Sequence, residues 1–194
     1  NLALSHLSAA TITALTDTTA SARAANIFYE IARDKVLEDT NWPFARTFVT
    51  LGLVEEEPEG IDDEWSYSYR YPSDCLKARR IITGNKVDDS RTEIKFIIGQ
   101  DDTGLLIYTD EEDARLEYTK RETDTGRYPA SFSLALSYYL ASLIAAKVTA
   151  GDPFKLGPKA AQEYLVQVQK AVSNSFNEQR VPNEPDGEFI SARS

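Results

Sequence analysis

The stretch Tyr128-Pro-Ala-Ser-Phe-Ser-Leu-Ala-Leu-Ser-Tyr-Tyr-Leu-Ala-Ser-Leu-Ile-Ala-Ala-Lys-Val-Thr-Ala150 decides the fold. No charge appears before Lys147, and Phe132, Leu134, Leu136, Leu140, Leu143, Ile144 and Val148 fall on every side of a helical wheel. Pro129 suits a first turn, where the missing N–H costs nothing, and Gly151 suits a left-handed stop. A helix apolar all round is buried on all sides or spans a membrane. The length permits a span. Four serines, two adjacent tyrosines and flanks without Lys/Arg asymmetry speak against one. The stretch is therefore expected to be a central helix around which others pack, with no membrane partner.

Working outward, Gly151-Asp152-Pro153 breaks the chain and Gly157-Pro158 restarts it. Ala161, Tyr164, Leu165, Val168 and Val172 then give an amphipathic helix. Near the start, Asn1–Leu7 reads as a short helix, and the hydroxyl-rich Thr16–Thr19 as an N-cap. Ala24, Ile27, Phe28, Ile31 and Ala32 predict a second amphipathic helix, with Arg23, Glu30, Arg33, Asp34 and Glu38 outside. Pro43 ends it, because the residue before proline is pushed out of the α region. Between these helices the period changes to two. Ala45–Val54 reads as a strand, followed by ten residues, Glu55–Glu64, with seven acids and no base. Trp65, Tyr67, Tyr69 and Tyr71 alternate with polar residues and predict one aromatic strand face. Pro72-Ser73-Asp74 opens a short helix or turn over Cys75–Ile82, which holds the basic cluster Lys77, Arg79 and Arg80. That cluster is a solvated face or a possible subunit contact. Strands are expected at Thr92–Ile98, Leu105–Thr109 and Ala114–Lys120, the first two joined by the turn-rich Gly99–Gly104.

The predicted class is α+β. Residues 1–44 and 128–173 form a helical bundle body around the central apolar helix. Residues 45–127 are an inserted small antiparallel β-sheet of four or five strands, so that 1–173 is a single domain. Residues 174–194 are an extended C-terminal tail, polar and proline-interrupted, whose apolar pair Phe189-Ile190 is placed to anchor on a partner.

The chemistry legible here is sparse. With a net charge of −10, the 194-residue chain is a poor binder of phosphate surfaces. One cysteine, Cys75, and one histidine, His6, leave no internal disulfide and no Cys/His metal cluster. The acid pairs Asp62-Asp63, Asp88-Asp89, Asp101-Asp102 and the run Glu111-Glu112-Asp113 do not have EF-hand spacing, and adjacent acids on a strand point to opposite faces. A Ser–His–Asp triad would need His6, on a short N-terminal helix. No catalytic residue, cofactor-binding residue or metal ligand is expected, and the chain is not read as an enzyme.

Two stretches carry a family resemblance. The helix closing on Leu37-Glu-Asp-Thr-Asn-Trp42-Pro43-Phe44-Ala45, followed by Trp65-Ser-Tyr67-Ser-Tyr69-Arg-Tyr-Pro72-Ser-Asp74-Cys-Leu76, resembles the head-to-tail adaptor (connector) proteins of tailed bacteriophages, of the tail tubular protein A type. The resemblance covers about residues 1–172 and implies a structural virion protein assembled in the host cytoplasm. Such adaptors form a ring, of twelve copies, that joins the portal protein to the tail nozzle or tail tube. Genomic DNA passes through the lumen without specific binding, and acidic walls suit that passage. The alternatives are a head-completion stopper or tail terminator and, in a different class, a small metal-dependent hydrolase.

Overall fold

The computed structural model describes residues 1–58, 65–82 and 94–178. Over these residues the chain is α+β, with four helices and two small antiparallel sheets. The helices are α1 (Leu2–His6), α2 (Ala20–Asp39), α3 (Ala130–Val148) and α4 (Leu156–Glu178). The strands are β1 (Arg46–Thr50), β2 (Leu53–Glu56), β3 (Tyr67–Arg70), β4 (Cys75–Ile82), β5 (Ile97–Asp101), β6 (Gly104–Thr109) and β7 (Arg115–Lys120).

Helix α3 is the element with most neighbours, packed by α1, α2 and α4. Phe132, Ala135, Leu136, Leu140, Ala141, Ile144 and Ala145 are buried along it. By length and composition alone it could cross a membrane, but its apolar surface is taken up by the other helices. Its end is a Schellman turn: the N–H of Gly151 bonds the carbonyl of Ala146 at 2.8 Å. The left-handed residue at the turn is Ala150, at φ 52°, one position before the expected glycine. Asp152 then accepts hydrogen bonds from the N–H groups of Leu156 and Gly157 at 2.6 and 2.8 Å, capping α4. A Cβ at Gly157 would lie 3.2 Å from that of Ala145, so the missing side chain is what lets α4 approach α3 here.

Helix α2 starts on Thr19, whose hydroxyl accepts from the N–H of Ala22 at 3.1 Å. Its buried side is turned from the predicted one: Ala24, Phe28 and Ala32 pack on the core as expected, but the two isoleucines do not. Ala22, Ala24, Ala25, Ala32, Val36 and Leu37 face inward with Arg33, while Ile27 and Ile31 stay 63% and 59% exposed. The alanine face lets two helix axes come close, and a branched face would hold them apart. Arg33 is buried instead of outward, bonded through Nε to Asp34 at 2.8 Å. On α4, Leu165 likewise lies outside the core at 60% exposure.

The β region departs furthest from expectation. The single sheet is two sheets, in the orders β1-β7-β4 and β2-β3-β6-β5. The predicted strand Ala45–Val54 divides at Leu51-Gly52, with β1 pairing β7 and β2 pairing β3. Leu51, Tyr69, Ile81, Ile107, Ala114, Leu116 and Tyr118 form a second core, apart from the helical one. Cys75–Ile82 is a strand and not a helix, paired with β7 across two register shifts. Its run of β-branched residues at Ile81 and Ile82, with a free edge of β7 to fill, outweighs the proline opening. Gly99–Asp101 continue β5 instead of forming a linker, and Asp101 closes a tight turn into β6. Residues 174–178, expected in the tail, belong to α4, which continues to Glu178. Phe189 and Ile190 lie outside the described residues, as do Asp62, Asp63, Asp88 and Asp89.

Candidate functional site

The first motif closes the C-terminal end of α2, and β4, which begins at the end of the second motif, reaches the same place through Arg79. A helix leaves its last four carbonyls without intrahelical partners. Here the chain fills those places from distant elements. The Trp42 indole N–H donates to the carbonyl of Val36 at 2.7 Å. The Arg79 guanidinium, projecting from β4, donates to the carbonyls of Leu37, Glu38 and Thr40 at 3.4, 3.0 and 2.8 Å, and through Nε to Thr119 Oγ1 at 2.8 Å. A cation at a helix C-terminus also meets the negative end of the macrodipole. Burial lowers the pKa of Arg79, but an arginine stays charged.

Beside this junction lies an aromatic cluster. Pro43 opens a 3-10 turn over Pro43–Ala45, which turns the chain from α2 into β1. Trp42, only 3% exposed, meets Phe132 of α3 edge-on at 5.1 Å, and Phe44 meets the same ring at 5.0 Å. Tyr128 closes the group at 4.7 Å from Phe132. On the sheet side, Cys75 N–H bonds the carbonyl of Pro72 at 3.0 Å, and the Asp74 carboxylate accepts from the Tyr118 hydroxyl at 2.9 Å. Leu76 packs partly buried on the helical core. Tyr69 is buried, with its hydroxyl donating to the carbonyl of Glu111 at 2.9 Å, while Tyr67 and Trp65 are half-buried. The alternation of this strand does not make one wet face: Ser68 is buried too, its hydroxyl on the carbonyl of Glu55.

Lys77, Arg79 and Arg80 therefore do not form one basic face. Lys77 is exposed, Arg79 is turned into the junction, and Arg80 bonds the buried Glu117 through Nε at 2.6 Å. A strand with two register shifts separates what a helical turn would have gathered. The part Arg79 plays was not legible in sequence, because nothing local signals that a strand arginine caps a helix.

His6 Nε2 lies 2.9 Å from Ser137 Oγ, its ring stacked on Tyr138 at 3.9 Å. The Ser137 hydroxyl also lies 2.7 Å from the carbonyl of Leu134, one turn back on α3. Burial holds the His6 pKa below its ordinary value. Asp101 is gripped by both arms of Arg70 at 2.9 and 2.8 Å and by Thr103, which hold its carboxyl well below the usual range. Among the described residues no three His, Cys, Asp or Glu side chains come together to hold a metal ion. A cavity of about 400 Å³ between the N-terminal segment and α3 is lined by groups such as Leu2, Leu15, Leu136 and Ile144, with two tyrosines as its only titratable side chains.

Burial pushes the Cys75 thiol up to about 11, so at pH 8 the thiolate is scarce. Alkylation by iodoacetamide in the folded protein is expected to run more than tenfold slower than in denaturant, where the pKa returns to about 8.5. Mass spectrometry of timed samples reads it, and native modification at the free-thiol rate would contradict the burial argument.

A scan against protein-family models finds no match, and no curated protein matches the chain.

Proposed function

We propose that this chain is a structural virion protein, the head-to-tail adaptor of a tailed bacteriophage, acting as a ring between portal and tail. The observation that carries the reading is the junction at the end of α2. Of the residues that bear the family resemblance, Trp42, Phe44 and Leu76 pack on the helical core beside the strands that follow or carry them, and Pro43 opens the turn from α2 into β1. They are framework residues, as expected of a protein that transmits position and not chemistry. The helices would form the bundle body, and the tail, with Phe189 and Ile190, would dock on the portal. A net charge of −10 suits a lumen through which DNA must slide.

The test is particle composition and symmetry. The chain should be found by mass spectrometry in purified virions, and a reconstruction of the head–tail junction should hold it as a twelve-fold ring. A six-fold ring would assign it to the stopper or terminator position, and absence from virions would refute the reading. Removal of residues 179–194 should leave circular dichroism unchanged and abolish portal binding. Undiminished binding would transfer the docking role to the helical body. Because each copy carries the same charge, the purified chain should stay largely monomeric at low salt. Light scattering that shows closed rings there, without portal, would contradict this.

A further inference from the structure

Two apolar stripes remain on the helices that flank α3. On α2, Ile27 and Ile31 are 63% and 59% exposed, and on α4, Leu165 and Val166 are 60% and 40% exposed. Helix geometry gathers each stripe with charges of one predominant sign. Ile27, Ile31, Glu30, Asp34 and Glu38 share about 100° of the α2 surface, with Arg23 the one base in that arc, and Leu165, Val166, Lys159 and Lys170 share about 140° of the α4 surface, with Glu163 at its border, at 3.6 residues per turn. Glu30, Glu38, Lys159 and Lys170 have no ion-pair partner among the described residues, whereas Asp34 is held by Arg33 and Arg121.

From these stripes we infer that α2 of one copy packs against α4 of the next. The occupant of each stripe is a second copy of this chain, presenting its other stripe. Charge decides between the possible pairings. Two α2 stripes would set Glu30 and Glu38 against the same acids, and two α4 stripes would set lysines against lysines. Only the mixed pairing places acids beside lysines, and like charges across a contact are disfavoured. A contact between unlike faces is heterologous, so it propagates into a ring or a filament and does not stop at a dimer. Four aliphatic side chains cover roughly a few hundred Å², well under the ~1,200 Å² of stable complexes. The contact is therefore weak between two free copies and gains hold only when many copies are arrayed. The inference rests on the ring reading for its closure, and on the two stripes for its existence.

The test uses the full chain with Cys75→Ser as background. Ile27→Cys, Leu165→Cys and the double variant are treated with a short bismaleimide at high protein concentration, after circular dichroism has shown each to be folded. The expected result is a ladder of dimers, trimers and higher species from the double variant and only monomer from either single variant. Dimers from Ile27→Cys alone would mean that like faces meet, and no ladder from the double variant would mean that the stripes do not meet; either overturns the inference. Glu38→Lys should cut the ladder yield several-fold, and adding Lys170→Glu should restore it. A yield moved by neither overturns the charge pairing. A ladder from a chain absent from virions would keep the contact and remove the virion reading. A virion ring lacking the linkage would do the reverse.

Discussion

Replacement of Trp42 by alanine is expected to destabilise the protein by about 3–5 kcal/mol, the range for truncating a large buried aromatic. The ring is 3% exposed and wedged edge-on against Phe132. Its loss leaves a cavity where α2, α3 and the turn into β1 converge, and it strips the carbonyl of Val36 of the indole donor. Trp42→Phe separates the two effects. It keeps most of the ring contact and removes the hydrogen bond, so it should cost about 1–3 kcal/mol, the penalty for one buried unsatisfied polar group. Urea melts of the three proteins decide the matter. A loss below about 1 kcal/mol for the alanine variant would mean that the tryptophan does not anchor the helical core.

Arg79→Ala should follow closely, at about 2–4 kcal/mol, because it deprives several helix-end carbonyls and Thr119 of a charged donor at once. Arg79→Lys should recover less than half of that. An ammonium carries three donors on a flexible stem and cannot reproduce the planar fork that reaches Thr119 on one side and α2 on the other. Full recovery by lysine would show that charge at the helix terminus matters and geometry does not. Neutral behaviour of both variants in melts, with weakened self-association, would return Arg79 to the subunit-contact role that its sequence neighbourhood suggested.

The elements that were legible are those whose own pattern decides them. The uncharged run before Lys147, with its serines and tyrosines, reads as a many-sided core helix in preference to a membrane span, and Pro43 marks the end of α2. Misreadings occurred where the partner, not the segment, sets the outcome. Ile27 and Ile31 satisfy the helical period as well as the alanines do, and only the close approach to α3 selects the alanine side. Cys75–Ile82 has a helix-opening start, yet an available edge of β7 makes it a strand. Ala45–Val54 shows no internal sign that its halves enter different sheets, because Gly52 is conformationally permissive either way. The junction was half legible: Trp42 and Phe44 stood out, whereas Arg79 looked like surface charge until the end of α2 was seen beside it.

The position of α3 in the chain has a consequence for how the protein is made. Synthesis runs from the N-terminus, and the helix that α1 and α2 pack against occupies residues 130–148. When α2 leaves the ribosome, Val36, Leu37 and Trp42 have nothing to cover them until nearly a hundred further residues have emerged. The two sheets are already complete by then, because β7 ends at Lys120. The sheets can therefore close first, and β4 can hold Arg79 ready at the place where α2 must end. The helical core remains an unfinished, sticky surface for most of translation, and contacts of such long sequence separation form slowly. A nascent-chain chaperone would find its binding site in α2, and premature stops before residue 148 would yield aggregates and not shorter folded proteins.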